Sequence, residues 1–232
     1  VQIVARMERP SILHRLTASR TGAAARLLLR AGEGICDPGA ILPFAEAVYR
    51  ALGQTPLFRV LSLTEGMDEV LAAKGYASEG ETTTLYGESA GFVLPDDATA
   101  ELSAEASVEW RQARARLSNV DSAETRIFDG MLDSILVPKA FAASREEGEI
   151  AALAYGTLCN GLAVVESVVT DAAQRRRGHG RRTVARLLRW AKDLGAEAAC
   201  LQVVADNAAA RGLYHGLGFT TELHRYHYRR KA

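Results

Sequence analysis

Between Glu149 and Gly195 the sequence changes its hydrophobic period once, and that change sets the fold class. The runs "EIAALAYGTL" and "LAVVESVVT" are apolar and rich in β-branched residues, and "CNG" between them signals an antiparallel hairpin. A loop of glycines and arginines follows. Beyond it Val184, Leu187, Leu188, Ala191 and Leu194 recur on one helical face, and Gly195 ends that helix as a C′ residue. "ACLQVV" then reads as a short buried strand, and "ADN" as a helix start. Ala208 to Leu217 forms a helix stopped by Gly218, and "TTELHRYHY" is a closing strand. Strands that alternate with helices exclude an all-α bundle and an all-β sandwich. The expected class is α+β (mixed α/β): a twisted mixed sheet flanked by helices.

The earlier part of the chain has the same ingredients. A strand is expected at Arg26 to Arg30, a helix from Ala40 to Leu52, a strand at Leu57 to Leu63, a helix over Glu65 to Lys74 and a strand at Thr82 to Tyr86. The stretch from Gly87 to Glu105 lacks periodicity and carries Pro95, Asp96 and Asp97, so it reads as a linker. Ser107 to Leu117 and Ser122 to Leu136 look helical, although Ser107 to Arg116 also suits a first strand. "PLFRVLSLTEGMDEVLAAKGYASE" and "AACLQVVADNAAARGLYHGLGFTTE" both run strand, helix, Gly-aromatic, strand. Aligning Gly75-Tyr76 with Gly218-Phe219 suggests an internal repeat, hence two tandem copies of one fold. The expected division is a first half over 1–88, a linker over 89–105 and a second half over 106–232.

Composition narrows the function classes. The 232 residues are 48% hydrophobic and carry a formal net charge of zero, which argues against bulk binding to nucleic acid or membrane. No apolar run approaches membrane-spanning length, and no signal-peptide pattern is seen. Cys36, Cys159 and Cys200 are an odd number without close spacing and read as reduced core thiols, so a cytoplasmic location is expected. His224 and His227 are three apart on a strand and point to opposite faces, so no metal site is indicated.

Against this neutral background, "QRRRGHGRRTVARLLRW" holds seven arginines and no acid. Gly178 and Gly180 let backbone N–H groups turn inward, and the helix that follows adds unpaired donors and the positive end of its dipole. Such a nest binds phosphate. A dinucleotide fingerprint would need a third glycine where Thr183 stands, and a Walker loop would need Gly-Lys-Ser/Thr. Arg182, Arg186 and Arg189 read as a solvated basic face, and without interleaved aromatics the run does not suit nucleic acid. What does match is Arg/Gln-x-x-Gly-x-Gly/Ala, here "RRRGHG" from Arg175 to Gly180. The stretch resembles the acyl-CoA pyrophosphate loop of the GNAT superfamily of N-acetyltransferases. "LQVVADNAAARGLYHGLGF" resembles that family's second signature, a strand, Asn-x-x-Ala-x-x-Leu-Tyr and Gly-Phe. The resemblance covers Leu162 to Phe219 well and the region before Leu117 only loosely.

The resemblance implies acetyl transfer from acetyl-CoA to a primary amine of a small molecule or peptide, without a metal. A sensor that binds acyl-CoA without turnover is the alternative. For the cofactor it implies Arg175, Arg176, Arg177, Gly178, His179, Gly180 and Arg181 at the phosphates. It also implies Val168, Val169 and Thr170 as a strand end whose freed backbone pairs with the pantetheine arm. His179 is expected at the loop surface. Asn207 is carried over as a cofactor contact, with a helix N-cap as its structural role. Glu166 is the one charged residue in "LAVVESVVT". With period two it faces the same way as Val168 and Thr170, and it is either the base, or a residue on the wet face of the sheet or paired with an arginine. Tyr214 falls where the family's general acid sits. The first half has Leu71 in place of Tyr214, Thr64 in place of Asn207 and no phosphate loop, so it reads as a degenerate copy. The oligomeric state, monomer or homodimer, stays open.

Overall fold

The computed structural model describes residues 38–63, 66–95 and 99–231. The chain divides into two compact units, Val1–Thr83 with His224–Ala232, and Thr84–Leu223. Among the described residues there are six α-helices and eight strands, a mixed α/β composition.

The first unit begins with α1 (Pro38–Ala51), β1 (Leu57–Leu61) and α2 (Met67–Ala73), followed by β2 (Tyr76–Glu88), which runs on into the second unit. β2 starts well before the expected Thr82. The expected strand at Arg26 to Arg30 lies outside the described residues. The last strand of the chain, Thr221–Lys231, lies between β1 and β2 and pairs antiparallel with β1, Leu57 opposite Arg230 and Leu61 opposite Tyr226. Leu42, Ala45, Tyr49, Phe58, Val60, Met67, Leu71 and Tyr76 form the core. Its polar tips are tied. The Tyr49 hydroxyl donates to Leu57 O at 2.6 Å and the Tyr76 hydroxyl to Glu46 Oε1 at 2.7 Å. Asp68 accepts from Arg229 Nε and Nη2, both at 2.8 Å, and lies 2.6 Å from His227 Nε2.

The second unit continues with β3 (Glu101–Ser103), α3 (Val108–Ser118), α4 (Ser122–Asp133), β4 (Lys139–Glu146), β5 (Glu149–Cys159) and β6 (Leu162–Thr170). Then come α5 (His179–Asp193), β7 (Ala198–Val204), α6 (Ala208–His215) and the start of β8 (Thr221–Lys231). Its sheet order is β2-β7-β6-β5-β4-β3. The hairpin β5–β6 turns through Asn160 and Gly161, both at positive φ (49° and 73°), which matches the right-handed twist of its strands. α3 is a helix, not a strand: the Ser107 side chain caps it by accepting from Trp110 N at 3.1 Å. The stretch expected to be a linker contains a 3-10 turn at Ser89–Gly91 and strand β3, which pairs with β4.

Two cores sandwich this sheet. On one face α5 and α6 bury Val165, Val184, Leu187, Leu188, Leu201, Leu217 and Phe219. On the other α3 and α4 cover Phe141, Leu153 and Tyr155 with Trp110 and Leu132. Each such side chain contributes roughly 1.5–3 kcal/mol by leaving water. Two sequence expectations fail here. Leu194 ends outside the apolar face, 54% exposed, because the helix stops before it. Cys159 is exposed rather than in the core, because it sits at the hairpin turn.

Candidate active site

The site begins where β6 and β7 part. Leu162 to Val165 pair in parallel with Ala198 to Leu201, and the pairing stops at Val165. One residue later the backbone of Ser167 takes φ 53°, a left-handed conformation that costs a serine of order 1–3 kcal/mol. On the β5 side Tyr155 faces Glu166 and Leu153 faces Val169, so β6 carries one extra residue across Ala154. This is a β-bulge, and it reverses the alternation. Glu166, opposite Tyr155, therefore shares the α3–α4 face. Val168 packs into the α5–α6 core, and Val169 returns to the α3–α4 core. Glu166 does not face with Val168 and Thr170 as strict period two predicts; the extra residue at Ser167 is the reason.

Thr170 leads into the loop. Asp171 accepts from Ala173 N at 2.9 Å and pairs with Arg116 at 3.2 Å, fixing the strand exit. Arg175, Arg176 and Arg177 are exposed, and Arg176 has φ 64°. Gly178, at φ 84°, is the N-cap of α5. Gly180 is buried in the first turn. A Cβ there would lie 3.0 Å from Thr170 Oγ1 and 3.4 Å from Leu213 Cδ1, so the loop, the end of β6 and α6 meet closely at this glycine. A glycine at a helix N-terminus beside three exposed arginines is a donor set whose chemistry fits a pyrophosphate. Arg181 is half-buried near Gly216. Asn207 caps α6, its side chain accepting from Ala210 N at 3.1 Å.

Tyr214 is buried, and its ring packs edge-on against Phe219 at 6.2 Å. Burial first, and the charge of Glu166 second, push its pKa up to about 12. The same Glu166 charge raises the Tyr155 and Cys200 pKa values, again after burial. One carboxylate is thus in electrostatic reach of β5, β7 and α6 at the place where the strands separate.

The family described as "Probable histone acetyltransferase Rv0428c C-terminal" matches residues 40–229. The chain belongs to this acetyltransferase family. The uncharacterized N-acetyltransferase YobR of Bacillus subtilis (strain 168) is 26% identical over 192 residues, 81% of this chain and 77% of that protein. Among solved structures, a GCN5-related N-acetyltransferase from Kribbella flavida superposes with a TM-score of 0.69 at 19% identity. That match covers 97% of this chain and 90% of the other. A tandem GNAT protein from the clavulanic acid biosynthesis pathway gives 0.64 at 15% identity, over 88% and 74%. The fold is therefore that of the GNAT acetyltransferases.

In this acetyltransferase His179 is not at the loop surface. It is 1% exposed, because α5 starts at His179 and turns it inward. Its Nδ1 lies 2.8 Å from Ser144 Oγ and 3.1 Å from Arg182 Nη2. Arginine can only donate, so Nδ1 accepts and the neutral ring carries its proton on Nε2. Nε2 is 3.2 Å from Glu146 Oε2, at ion-pair distance but out of line for a hydrogen bond. Burial, then the Arg182 charge, hold the imidazole pKa below its usual value. Arg182 also donates to Arg177 O at 3.2 Å, so it braces the loop from beneath rather than lying on a solvated face. Ser144 and Glu146 escaped the sequence reading because β4, "KAFAASRE", has no strand signature of its own.

Proposed function

We propose that the protein moves the acetyl group of acetyl-CoA to a primary amine of a small molecule or peptide by direct attack of the amine on the thioester. The observation that carries this reading is the parting of β6 from β7 after Val165, with the glycine-arginine loop and the N-terminus of α5 following directly on the end of β6. Acetyl-CoA supplies the activated acyl group. Gly178, Gly180, Arg175, Arg176, Arg177 and Arg181 would hold its phosphates, and the backbone of Val168, Val169 and Thr170 its pantetheine arm.

An alkyl ammonium with a pKa near ~10 must lose a proton before it attacks. Glu166 takes that proton, directly or through water. The amine nitrogen then bonds to the acetyl carbon, the carbon–sulfur bond breaks, and the second proton of the nitrogen passes through water to the departing sulfur, leaving the amide and the free thiol of CoA. Tyr214, at about 12, is a weaker acid than the departing thiol at ~8.5, so it stabilises the sulfur by donating a hydrogen bond rather than by giving up its proton. When Glu166 becomes neutral, its share of the upward shift on Tyr214 vanishes, and Tyr214 becomes a better donor as charge builds on sulfur. Asn207 serves chiefly as a helix cap in this scheme.

The first half is read as a degenerate copy that binds no second acetyl-CoA, and the free thiols Cys159 and Cys200 support a cytoplasmic location. The test is thiol release from acetyl-CoA across a panel of amines, with binding followed by calorimetry. Turnover with at least one amine and a stoichiometry of one per chain are expected. Stoichiometric binding without turnover of any amine would put an acyl-CoA sensor in place of the enzyme.

A further inference from the structure

Beneath the glycine-arginine loop, β4 and α5 bring four polar side chains together, and His179 holds the centre. Its Nδ1 lies 2.8 Å from Ser144 Oγ and 3.1 Å from Arg182 Nη2, and its Nε2 lies 3.2 Å from Glu146 Oε2. The other terminal nitrogen of Arg182, Nη1, donates to Arg177 O at 3.2 Å. Thr183 Oγ1 donates to His179 O at 2.9 Å and pins the backbone of the same turn. One guanidinium thus joins a buried imidazole to a carbonyl of the loop.

That carbonyl belongs to the Arg177–Gly178 peptide. A trans peptide is planar, and its C=O and N–H point in opposite directions. With the carbonyl drawn down to Arg182, the Gly178 N–H faces away from the buried cluster. Glycine is needed for this path: φ is 84°, and a Cβ would lie 2.8 Å from Arg182 Nη1. The brace therefore aims an amide at the N-terminus of α5, where a phosphate would bind. It works only with a neutral ring. Arginine donates and cannot accept, so Nδ1 must keep its lone pair. A proton on Nδ1 removes that acceptor and sets two cations 3.1 Å apart. The other members can stay: Ser144 Oγ can accept from Nδ1–H, and Nε2–H faces Glu146. Arg182 alone loses its partner. The charged groups that act on the ring are Arg182 from α5, Glu146 from β4 and Arg177 from the loop; the arginines oppose the proton and Glu146 favours it.

We infer that His179 is a positioning residue for the acetyl-CoA phosphates: its neutral ring holds Arg182 on Arg177 O, and a proton on the ring releases the loop, so that cofactor affinity falls as the solution turns acidic. This inference rests on the acetyl-transfer reading for the identity of the ligand and deepens it, because binding then depends on a side chain that the ligand does not touch. The sign is diagnostic. An imidazolium that simply attracted the phosphates would raise affinity in acid.

The experiment measures binding of dephospho-CoA to the full chain by calorimetry. This probe lacks the phosphomonoester that titrates near ~6, so its own charge stays constant between about pH 5 and pH 8. Wild-type affinity should fall about tenfold from about pH 7.5 to about pH 5. His179→Gln keeps an acceptor for Arg182 that does not titrate, so it should bind at the higher pH within about threefold of wild type and lose the pH dependence. His179→Leu removes the acceptor and should bind weakly at every pH. Wild-type affinity that is flat or rises in acid, or an unchanged pH dependence in His179→Gln, would overturn the inference. A second readout needs no ligand and no variant: in isotope-labelled protein the Gly178 amide and Arg182 Nε signals should move together with the titration of the His179 ring. If they do and dephospho-CoA does not bind, the brace stands and only the ligand reading falls. A ring that stays neutral down to about pH 5, or that titrates without moving them, overturns the brace.

Discussion

The corner of helix, glycine and buried aromatic occurs twice in this chain, and the two copies differ in what they leave open. In the first unit α2 runs to Gly75, at φ 79°, and then to Tyr76. In the second α6 ends at His215, and a short turn leads to Gly218, at φ 107°, and then to Phe219. Leu71 is fully buried inside the first corner, and Tyr214 stands at the aligned place in the second. Around the first corner the polar groups are closed on one another: Tyr76 on Glu46, Tyr49 on Leu57 O, Asp68 on Arg229 and His227. Among the described residues the buried orphan there is Arg59 Nε, whose guanidinium lies over Tyr226. The second unit has a left-handed serine in a strand, and unpaired atoms on Arg114, Gln174, His179 and Arg189. Both corners place a glycine of positive φ before a buried aromatic, and among the described residues most of the buried unpaired side-chain atoms lie in the second unit.

The comparison breaks most sharply if the two aligned positions respond alike. Tyr214→Phe keeps the ring against Phe219, so folding stability should change by under ~1 kcal/mol, while turnover falls roughly ten- to ten-thousand-fold. Leu71→Ala should instead lower stability by roughly 2–5 kcal/mol and leave kcat of the remaining folded protein intact. Denaturant melts beside steady-state rates would decide. Wild-type turnover by Tyr214→Phe would make that residue structural.

Next in size is the glycine at the meeting point. Gly180→Val places carbon against Thr170 and Leu213, and acetyl-CoA affinity by calorimetry should fall about hundredfold, about 2.8 kcal/mol. Unchanged affinity would move the phosphates elsewhere. Gly75→Ala, where nothing lies within 4 Å but φ is 79°, should cost stability alone.

A smaller effect is expected at Asp68, which Arg229 above all holds down at about 2. A carboxyl with a depressed native pKa stabilises the fold above its unfolded value and loses that contribution as the pH falls. Asp68→Asn should cost about 1 kcal/mol at pH 7, since the group is 37% exposed. The gap between variant and wild type should close between about pH 4 and pH 2. Turnover at neutral pH should not move.

The least effect is reserved for His179. Its native pKa lies below 6.5, so the unfolded chain takes up a proton the native ring refuses, and stability falls as pH drops below about 6.5. Melting temperature should decline from pH 7 to pH 5 more in wild type than in His179→Gln. An identical decline would mean that the ring is protonated without cost.

Much of the second unit was legible because its signals are local. The hairpin turn needs only Asn160 and Gly161, and α5 and α6 are bounded by their own caps and glycines. β4 was missed because alanines make it a strand only through pairing with β3 and β5 on either side. The bulge at Ser167 was also hidden: a serine gives no signal for positive φ, and the extra residue is defined only against β5. The phosphate loop and Tyr214 could be read from their spacing, but the burial of His179 could not. A histidine between two glycines looks the same whether it faces solvent or β4.

Strand β8 has a consequence in time. In the first unit it supplies the partner of β1, and Ser62 meets Arg225 across 163 residues of chain. During synthesis at roughly 5–20 residues per second, β1 waits roughly 10–30 s for its neighbour. Through that interval α1, β1 and α2 have no finished sheet to cover, whereas β4, β5, β6, α5 and β7 pair with near neighbours in sequence. Chains stalled on the ribosome before residue 220 should therefore be cut readily near β1 and resist cleavage between β4 and β7, and release of the full chain should protect both.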